Sequence, residues 1–415
     1  MAGTASAAQV QQQARRVNMA ARQAIVRNAL LRWQQIANIS VGGGAAITAQ
    51  NNQITIYPQP VGLVTKFIVK ISGTFTNTDG SNAAAITNFG LANVLNQVIF
   101  NDLMNNTRIN TTGWHISFLN SVRLRRVFAA SMALTAPANQ AAAMGSYGAN
   151  WSSAAGDAVI YGRTALTVSG GANPTTSFNV IYEIPISYAT DDLRGAIFMQ
   201  VVNATANLQL FLNPNVSTAA AADPTLAIYS GTTGVTMSGV QVQVYQEYWD
   251  QLPQSTGGPV LPGIDTSTIY GMIYSPFASG LAANQQFPIP YANFRDFLST
   301  MIVYDNWTTG GGGSYPVPGS DIVNFSLQSA NFTNIWQEDP FYAAYRVRKI
   351  LGDDMPVPVY YFGHRNRPIS TVQTGNMQLI IQPGATVNSG AMVLEGLEYF
   401  TTINTITGAA SIAGN

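Results

Sequence analysis

No cysteine occurs among the 415 residues, so disulfides, thiolate-ligated zinc and cysteine nucleophiles are excluded. Charge is scarce as well. Only 9% of residues are charged, 19 basic against 19 acidic, where an ordinary soluble domain carries roughly a quarter. The surface must therefore be built from Asn, Gln, Ser, Thr, Gly and Ala. Copies of such a surface repel one another weakly, which favours self-assembly over life as a free monomer. No apolar run approaches the ~20 residues of a membrane-spanning helix. Met1-Ala2-Gly3-Thr4 has no basic region leading into an apolar stretch, so no secretory signal is expected.

Candidate chemistry is equally thin. His115 and His364 are the only histidines, and neither stands in a metal-binding frame such as His-Glu-x-x-His. In Gly113-Trp114-His115-Ile116-Ser117-Phe118, alternation puts Trp114, Ile116 and Phe118 on one face, and His115 reads as a structural histidine held by a local hydrogen bond. His364 neighbours Arg365 and Arg367, which disfavour both a protonated ring and a bound cation. Asp191-Asp192 reads as the capped first turn of a short helix, and Glu338-Asp339 and Asp353-Asp354 read the same way. The glycine run 310–313 is not followed by Gly-Lys-Ser/Thr, and no Gly-x-Ser-x-Gly elbow occurs. No enzyme, cofactor or metal site is expected.

What is present is mostly β-pattern. Val240 to Trp249 alternates strictly, with Val240, Val242, Val244, Gln246 and Tyr248 on one face, and it stops at Pro253. Gly257-Gly258-Pro259 and Pro262-Gly263 follow as a hinge. Further strands are expected at 54–57, 64–72, 94–100, 165–169, 178–188, 197–202 and 206–212. Beyond the hinge they are expected at 270–274, 286–291, 298–304, 322–328, 357–362, 377–382 and 392–400. Short strands without βα alternation favour an all-β sandwich or barrel over α/β, and the chain length points to two domains. The Ala-rich interruption at 129–157 and the glycine run are expected to be exposed loops.

Two internal similarities favour duplication of one β-domain. Val393-Leu394-Glu395-Gly396-Leu397-Glu398-Tyr399-Phe400 ends the second half as Val240 to Trp249 ends the first. Asn88-Phe89 leads to Val98-Ile99-Phe100-Asn101-Asp102 much as Asn293-Phe294 leads to Ile302-Val303-Tyr304-Asp305-Asn306.

Residues 5–37 differ from the rest, with no Pro or Gly, much Ala and Gln, and the arginines Arg15, Arg16, Arg22, Arg27 and Arg32. A long helix is expected there, with Val10, Ala14, Val17, Ala21 and Ile25 on one side. No acidic residue precedes Asp79. Two readings stay open: a solvated helix packed on its own domain, or a basic arm that touches an anionic surface such as lipid headgroups or nucleic acid.

Several stretches together resemble the major capsid proteins of tectiviruses, tailless icosahedral phages with a membrane inside the shell. They are Gly113-Trp114-His115, Tyr245-Gln246-Glu247-Tyr248-Trp249-Asp250-Gln251-Leu252-Pro253, Leu261-Pro262-Gly263-Ile264-Asp265-Thr266-Ser267-Thr268-Ile269-Tyr270 and Glu398-Tyr399-Phe400-Thr401. The resemblance implies an all-β double jelly roll, two eight-stranded antiparallel β-sandwiches with an N-terminal helical arm. The divisions expected are an arm at 1–45, a first roll at 46–250, a linker at 251–265, a second roll at 266–403 and a tail at 404–415. It further implies a homotrimeric, near-hexagonal capsomer among neighbouring capsomers, in a virion shell made in the host cytoplasm. Outer loops would form towers, and the arm with Arg15, Arg16, Arg22, Arg27 and Arg32 would face the internal lipid membrane. Minor vertex and membrane proteins of the virion are implied partners, and sequence-specific nucleic acid is not. The alternative is a two-domain β-sandwich spike that binds a receptor or carbohydrate, which would show aromatic-lined sugar pockets.

Overall fold

The computed structural model describes residues 7–79, 84–87, 89–124, 173, 175–200, 205–218, 227–277, 279–306, 322–330, 334–351, 359–364, 368–371 and 375–402. The interruption at 129–157, the strand expected at 165–169, the glycine run, Asp353-Asp354, Arg365, Arg367 and the tail lie outside these residues.

The chain opens with helix α1 (Ala7–Asn28). The first half then supplies β1 (Leu30–Ser40), β2 (Gln53–Ile56), β3 (Leu63–Asn77), β4 (Leu95–Asn101) and β5 (Thr107–Thr111). Helix α2 (Gly113–Leu124) follows, then β6 (Thr175–Pro185), β7 (Asn207–Leu212) and β8 (Val235–Asp250). After the short helix α3 (Gly263–Ser267) come β9 (Thr268–Phe277), β10 (Phe287–Pro290), β11 (Asp296–Asp305), β12 (Ile322–Ser329) and β13 (Trp336–Glu338). Helix α4 (Pro340–Leu351) precedes β14 (Val359–Gly363), β15 (Met377–Pro383) and β16 (Met392–Thr402). Two-residue strands are left unlabelled.

Pairing gives the orders β1-β8-β3-β6 and β2-β7-β4-β5 in the first half, and β9-β16-β11-β14 and β10-β15-β12-β13 in the second. Adding eight to each label of the first half reproduces the second. Each half is a jelly roll, and among the described residues each carries a helix between its fifth and sixth strands. In the first, Phe67, Val69 and Ile71 of β3 and Val242 and Val244 of β8 meet Val98 and Phe100 of β4 and Leu208 and Leu210 of β7. The Phe67 and Phe100 rings lie 5.6 Å apart across the sandwich. In the second, Ile302 and Tyr304 of β11 and Val393 and Leu397 of β16 meet Phe325 of β12 and Leu379 and Ile381 of β15.

The halves share a sheet. Strand β5, at the edge of the first roll, runs parallel to β9, with Ile109 opposite Met272 and Asn110 opposite Ile273. The sheet β9-β16-β11-β14 is therefore covered on both faces. Phe297, Ile302 and Tyr304 of β11 enter the second core, whereas Leu298, Met301 and Val303 enter the first. This is why Met301 to Tyr304 of β11 reads as an unbroken apolar run and not as an alternation.

The helix expected through residue 37 stops at Asn28, and the first roll begins at Leu30, not at 46. Residues 30–40 pair antiparallel with β8, from Leu30 opposite Asp250 to Ser40 opposite Gln241. The helix propensity of Gln, Ala and Arg yields there to an eleven-residue ladder. A bulge between Gln35 and Ala37 breaks the alternation that would have revealed the strand. The alternation read over 113–118 belongs to a helix: every residue from Thr111 to Ser121 is buried, so no polar face marks the helical period. Asp191-Asp192 stands in a bend and not in a helix. Asp339 does cap α4, its Oδ1 accepting the Tyr342 N–H at 3.1 Å, with Pro340 at the first helical position.

Candidate functional site

The features able to serve assembly are the joint between the rolls and the docking of α1. The joint is made by α2. Its Trp114 ring meets Tyr274 of β9 edge-on at 5.7 Å. His115 lies against Gly396 of β16, where an added Cβ would come within 2.5 Å of the imidazole. Glycine is required there because the helix approaches the strand backbone directly. The His115 Nδ1 is 2.7 Å from Thr111 Oγ1, its Nε2 has no partner, and burial lowers its pKa to about 4. It stays neutral and structural. The half-buried His364 is lowered to about 4 by burial and then by Arg346.

Both eighth strands carry a buried glutamate at matching positions. Glu398 of β16 accepts hydrogen bonds from Tyr270 Oη of β9 at 2.9 Å, Ser299 Oγ of β11 at 2.7 Å and Arg123 Nη2 of α2 at 2.7 Å. Glu247 of β8 accepts from Trp33 Nε1 of β1 at 2.9 Å, Thr65 Oγ1 of β3 at 2.8 Å and Thr190 Oγ1 at 3.0 Å. The strands supplying an aromatic donor and a hydroxyl correspond in the two halves. The cation differs. Glu247 draws Lys66 of its own roll to 3.3 Å, whereas Glu398 takes Arg123 from the other roll. Burial alone would lower the Lys66 pKa, but Glu183 and Glu247 outweigh it and raise the group. A cavity of about 320 Å³ beside the joint is lined by Lys66, Asn120, Arg123, Glu183 and Tyr188 among others. Among the described residues it offers one aromatic ring, Tyr188, unlike a stacked sugar pocket.

The second half of α1 is fastened to the body. Ile25 is fully buried in a cluster with Leu63, Leu193, Trp249 and Leu252. Asn18 Nδ2 donates to Asp265 Oδ1 at 3.0 Å, and Asn18 Oδ1 accepts the Ile264 N–H at 2.9 Å. Arg22 grips Asp265 with Nε at 2.7 Å and Nη2 at 2.6 Å, and lies 3.4 Å from Asp192. Arg32 is not on the helix at all; it sits on β1, 3.1 Å from Asp250. Arg22 and Arg32 thus have carboxylate partners far along the chain, which sequence proximity could not reveal. Arg15, Arg16 and Arg27 are exposed, as are Val10, Val17 and Met19. Among the described residues no group of three His, Asp or Glu could hold a metal ion, and no helix is long and apolar enough to cross a membrane.

Residues 1–252 match the family profile described as P3 major capsid protein N-terminal, and residues 267–414 match P3 major capsid protein C-terminal. The chain belongs to the P3 major capsid protein family. It is 34% identical over 406 residues to the major capsid protein P3 of Enterobacteria phage PRD1, covering 97% of this chain and 95% of that one. The crystal structure of the STIV MCP matches with a TM-score of 0.60 at 10% identity, over 89% of this chain and 96% of that one. PBCV-1 VP54, fitted into a reconstruction of the virophage Sputnik, matches with a TM-score of 0.52 at 9% identity, over 93% and 97% of the two chains. These two likenesses are of fold, the double jelly roll already described. A P3 major capsid protein is a component of the virion's capsid shell, and the joint and the arm take their meaning from that role.

Proposed function

We propose that the chain forms a homotrimeric capsomer, a near-hexagonal tile of six upright jelly rolls, and that these tiles build an icosahedral shell over an internal membrane. The observation that carries this reading is the shared sheet. Two rolls of one topology, fused edge to edge, form a rigid pair that three copies complete to six. The segment 251–265 is the boundary between the rolls. The protein is structural, without catalytic activity or sequence-specific nucleic-acid binding. Minor vertex and membrane proteins are its further partners.

In this reading the outer part of α1 faces the membrane. Arg15 and Arg16 are exposed on it and Arg27 is exposed on the inner part, and each adds up to roughly 1 kcal/mol near an anionic bilayer, within a Debye length. Val10, Val17 and Met19 are too few to anchor the helix alone. The test is sedimentation of the full-length protein with vesicles containing anionic lipid. Binding is expected to fall as salt rises and to vanish when Arg15, Arg16 and Arg27 are changed to Glu, with light scattering still giving three chain masses. Equal binding by the substituted protein would remove the membrane role; a wild-type monomer at micromolar concentration would remove the trimer.

A further inference from the structure

Buried polar atoms in want of a partner gather on α2. Among the described residues, Ser117 Oγ, Asn120 Nδ2 and Arg123 Nε are all buried and unpaired. These residues are spaced by three and lie along one face of the helix. A carboxamide nitrogen and a guanidinium Nε only donate, so what Asn120 and Arg123 lack is an acceptor. An unmet buried donor is costly, and a native fold answers it with water or a bound group. Asn120 is 5% exposed, so bulk solvent does not answer it.

Both residues line the cavity of about 320 Å³ beside the joint, together with Lys66 of β3 and Glu183 of β6. That volume falls at the small end of ligand pockets, roughly 300–1,000 Å³. The charges around it are partly engaged. Arg123 gives Nη2 to Tyr270 and Glu398, which leaves Nε. Lys66 Nζ reaches Glu183 at 3.0 Å and Glu247 at 3.3 Å. Glu183 is the loosest member of this set, its side chain 36% exposed against 2% for Glu247, so it can turn to water and release one ammonium proton. Exchanging its carboxylate for another single negative charge leaves the total around Lys66 and Arg123 as it was. A dianion would add a charge beside the buried Glu247 and Glu398. Pro185 and the Tyr188 ring make the rest of the wall partly apolar.

We propose that this cavity is a binding site for a small monocarboxylate, its carboxylate taken by Asn120, Arg123 and Lys66 and its carbon chain laid against Pro185 and Tyr188. Glu183 is then a built-in competitor that holds the Lys66 corner while the site is free. Because Arg123 carries the cation for Glu398 of the second roll, a carboxylate on its free Nε also braces the joint. The site is complete within one chain and does not depend on how chains assemble.

The test is equilibrium dialysis of the full-length protein against radiolabelled butyrate, with butyramide and inorganic phosphate as unlabelled competitors. Saturation at one butyrate per chain is expected, with both competitors at least tenfold weaker. Asn120→Asp sets a fixed negative charge among the same donors and is expected to weaken butyrate at least tenfold. Glu183→Gln, at a part-exposed position, frees Lys66 and is expected to tighten it about fivefold. Circular dichroism reports whether each variant folds; if Asn120→Asp does not, Glu183→Gln and the competitors decide. Absence of saturable binding to the folded parent overturns the site and leaves the two donors to water. Competition by butyramide or phosphate as strong as by butyrate itself overturns the carboxylate assignment, and binding that neither variant alters lies elsewhere and overturns the location.

Discussion

Glu395 lies on β16 between Val393 and Leu397, facing the second core, with Oε1 unpartnered. Burial raises its pKa from 4.5 to about 8, so the carboxyl is neutral in the fold at pH 7. The unfolded chain gives up this proton above pH 4.5 while the folded chain holds it to about pH 8, so stability falls as pH rises through that window. The whole effect is on the order of several kcal/mol. Glu395→Gln is expected to flatten the decline, with urea midpoints at pH 5, 6.5 and 8 nearly equal in the variant and descending in the parent. Three residues on, Glu398 points to the other face and is satisfied by three donors. The sequence shows both glutamates in one apolar strand. Which is charged and which neutral follows from what the two faces meet, and the donors to Glu398 lie between 99 and 275 residues away.

At the level of elements, strands with one wet face were legible, β8 most of all. Elements without a wet face were not: α2, buried all round, offers no contrast between faces. Strand β1 was hidden by helix-forming residues and a bulge, whereas the start of α4 was legible, because Glu338-Asp339 before Pro340 reads as a capped first turn. The arm divides at Asn18 into an outer exposed part and an inner part held by Asp265. Arg22→Ala leaves the Asp265 carboxylate, 1% exposed, without its cation, and is expected to cost roughly 3 kcal/mol of docking. Limited trypsin digestion reads this directly. In the parent, cleavage after Arg15 and Arg16 should far outpace cleavage after Arg27, and Arg22→Ala should make the Arg27 site as fast as the others. Unchanged ratios would mean that Ile25 alone holds the helix.

Across the whole molecule, duplication was visible in one of its two sequence signs. Val240–Trp249 and Val393–Phe400 are both eighth strands and do correspond. The other match sets β4 beside β11, the fourth strand of one roll against the third of the other. Similar apolar runs between polar turns arise in any sandwich. What the sequence patterns did not show is that the rolls share a sheet, since a two-residue parallel pairing leaves no periodic mark. With a common sheet and Arg123 spanning the joint, calorimetry should record one dominant unfolding transition. Two resolved transitions that persist on dilution would mean loosely tethered rolls.

The borrowing of Arg123 by Glu398 also gives the chain a direction in time. The first roll neutralises its own buried glutamate with Lys66 and asks nothing of the second. The second cannot do the same until α2 is in place. Because a ribosome delivers the first roll first, the cation and the covering helix are waiting when β16, the last strand among the described residues, emerges with the carboxylate that needs them. The self-sufficient half is a template for the dependent one, and the reverse order of synthesis would leave a buried charge without its partner.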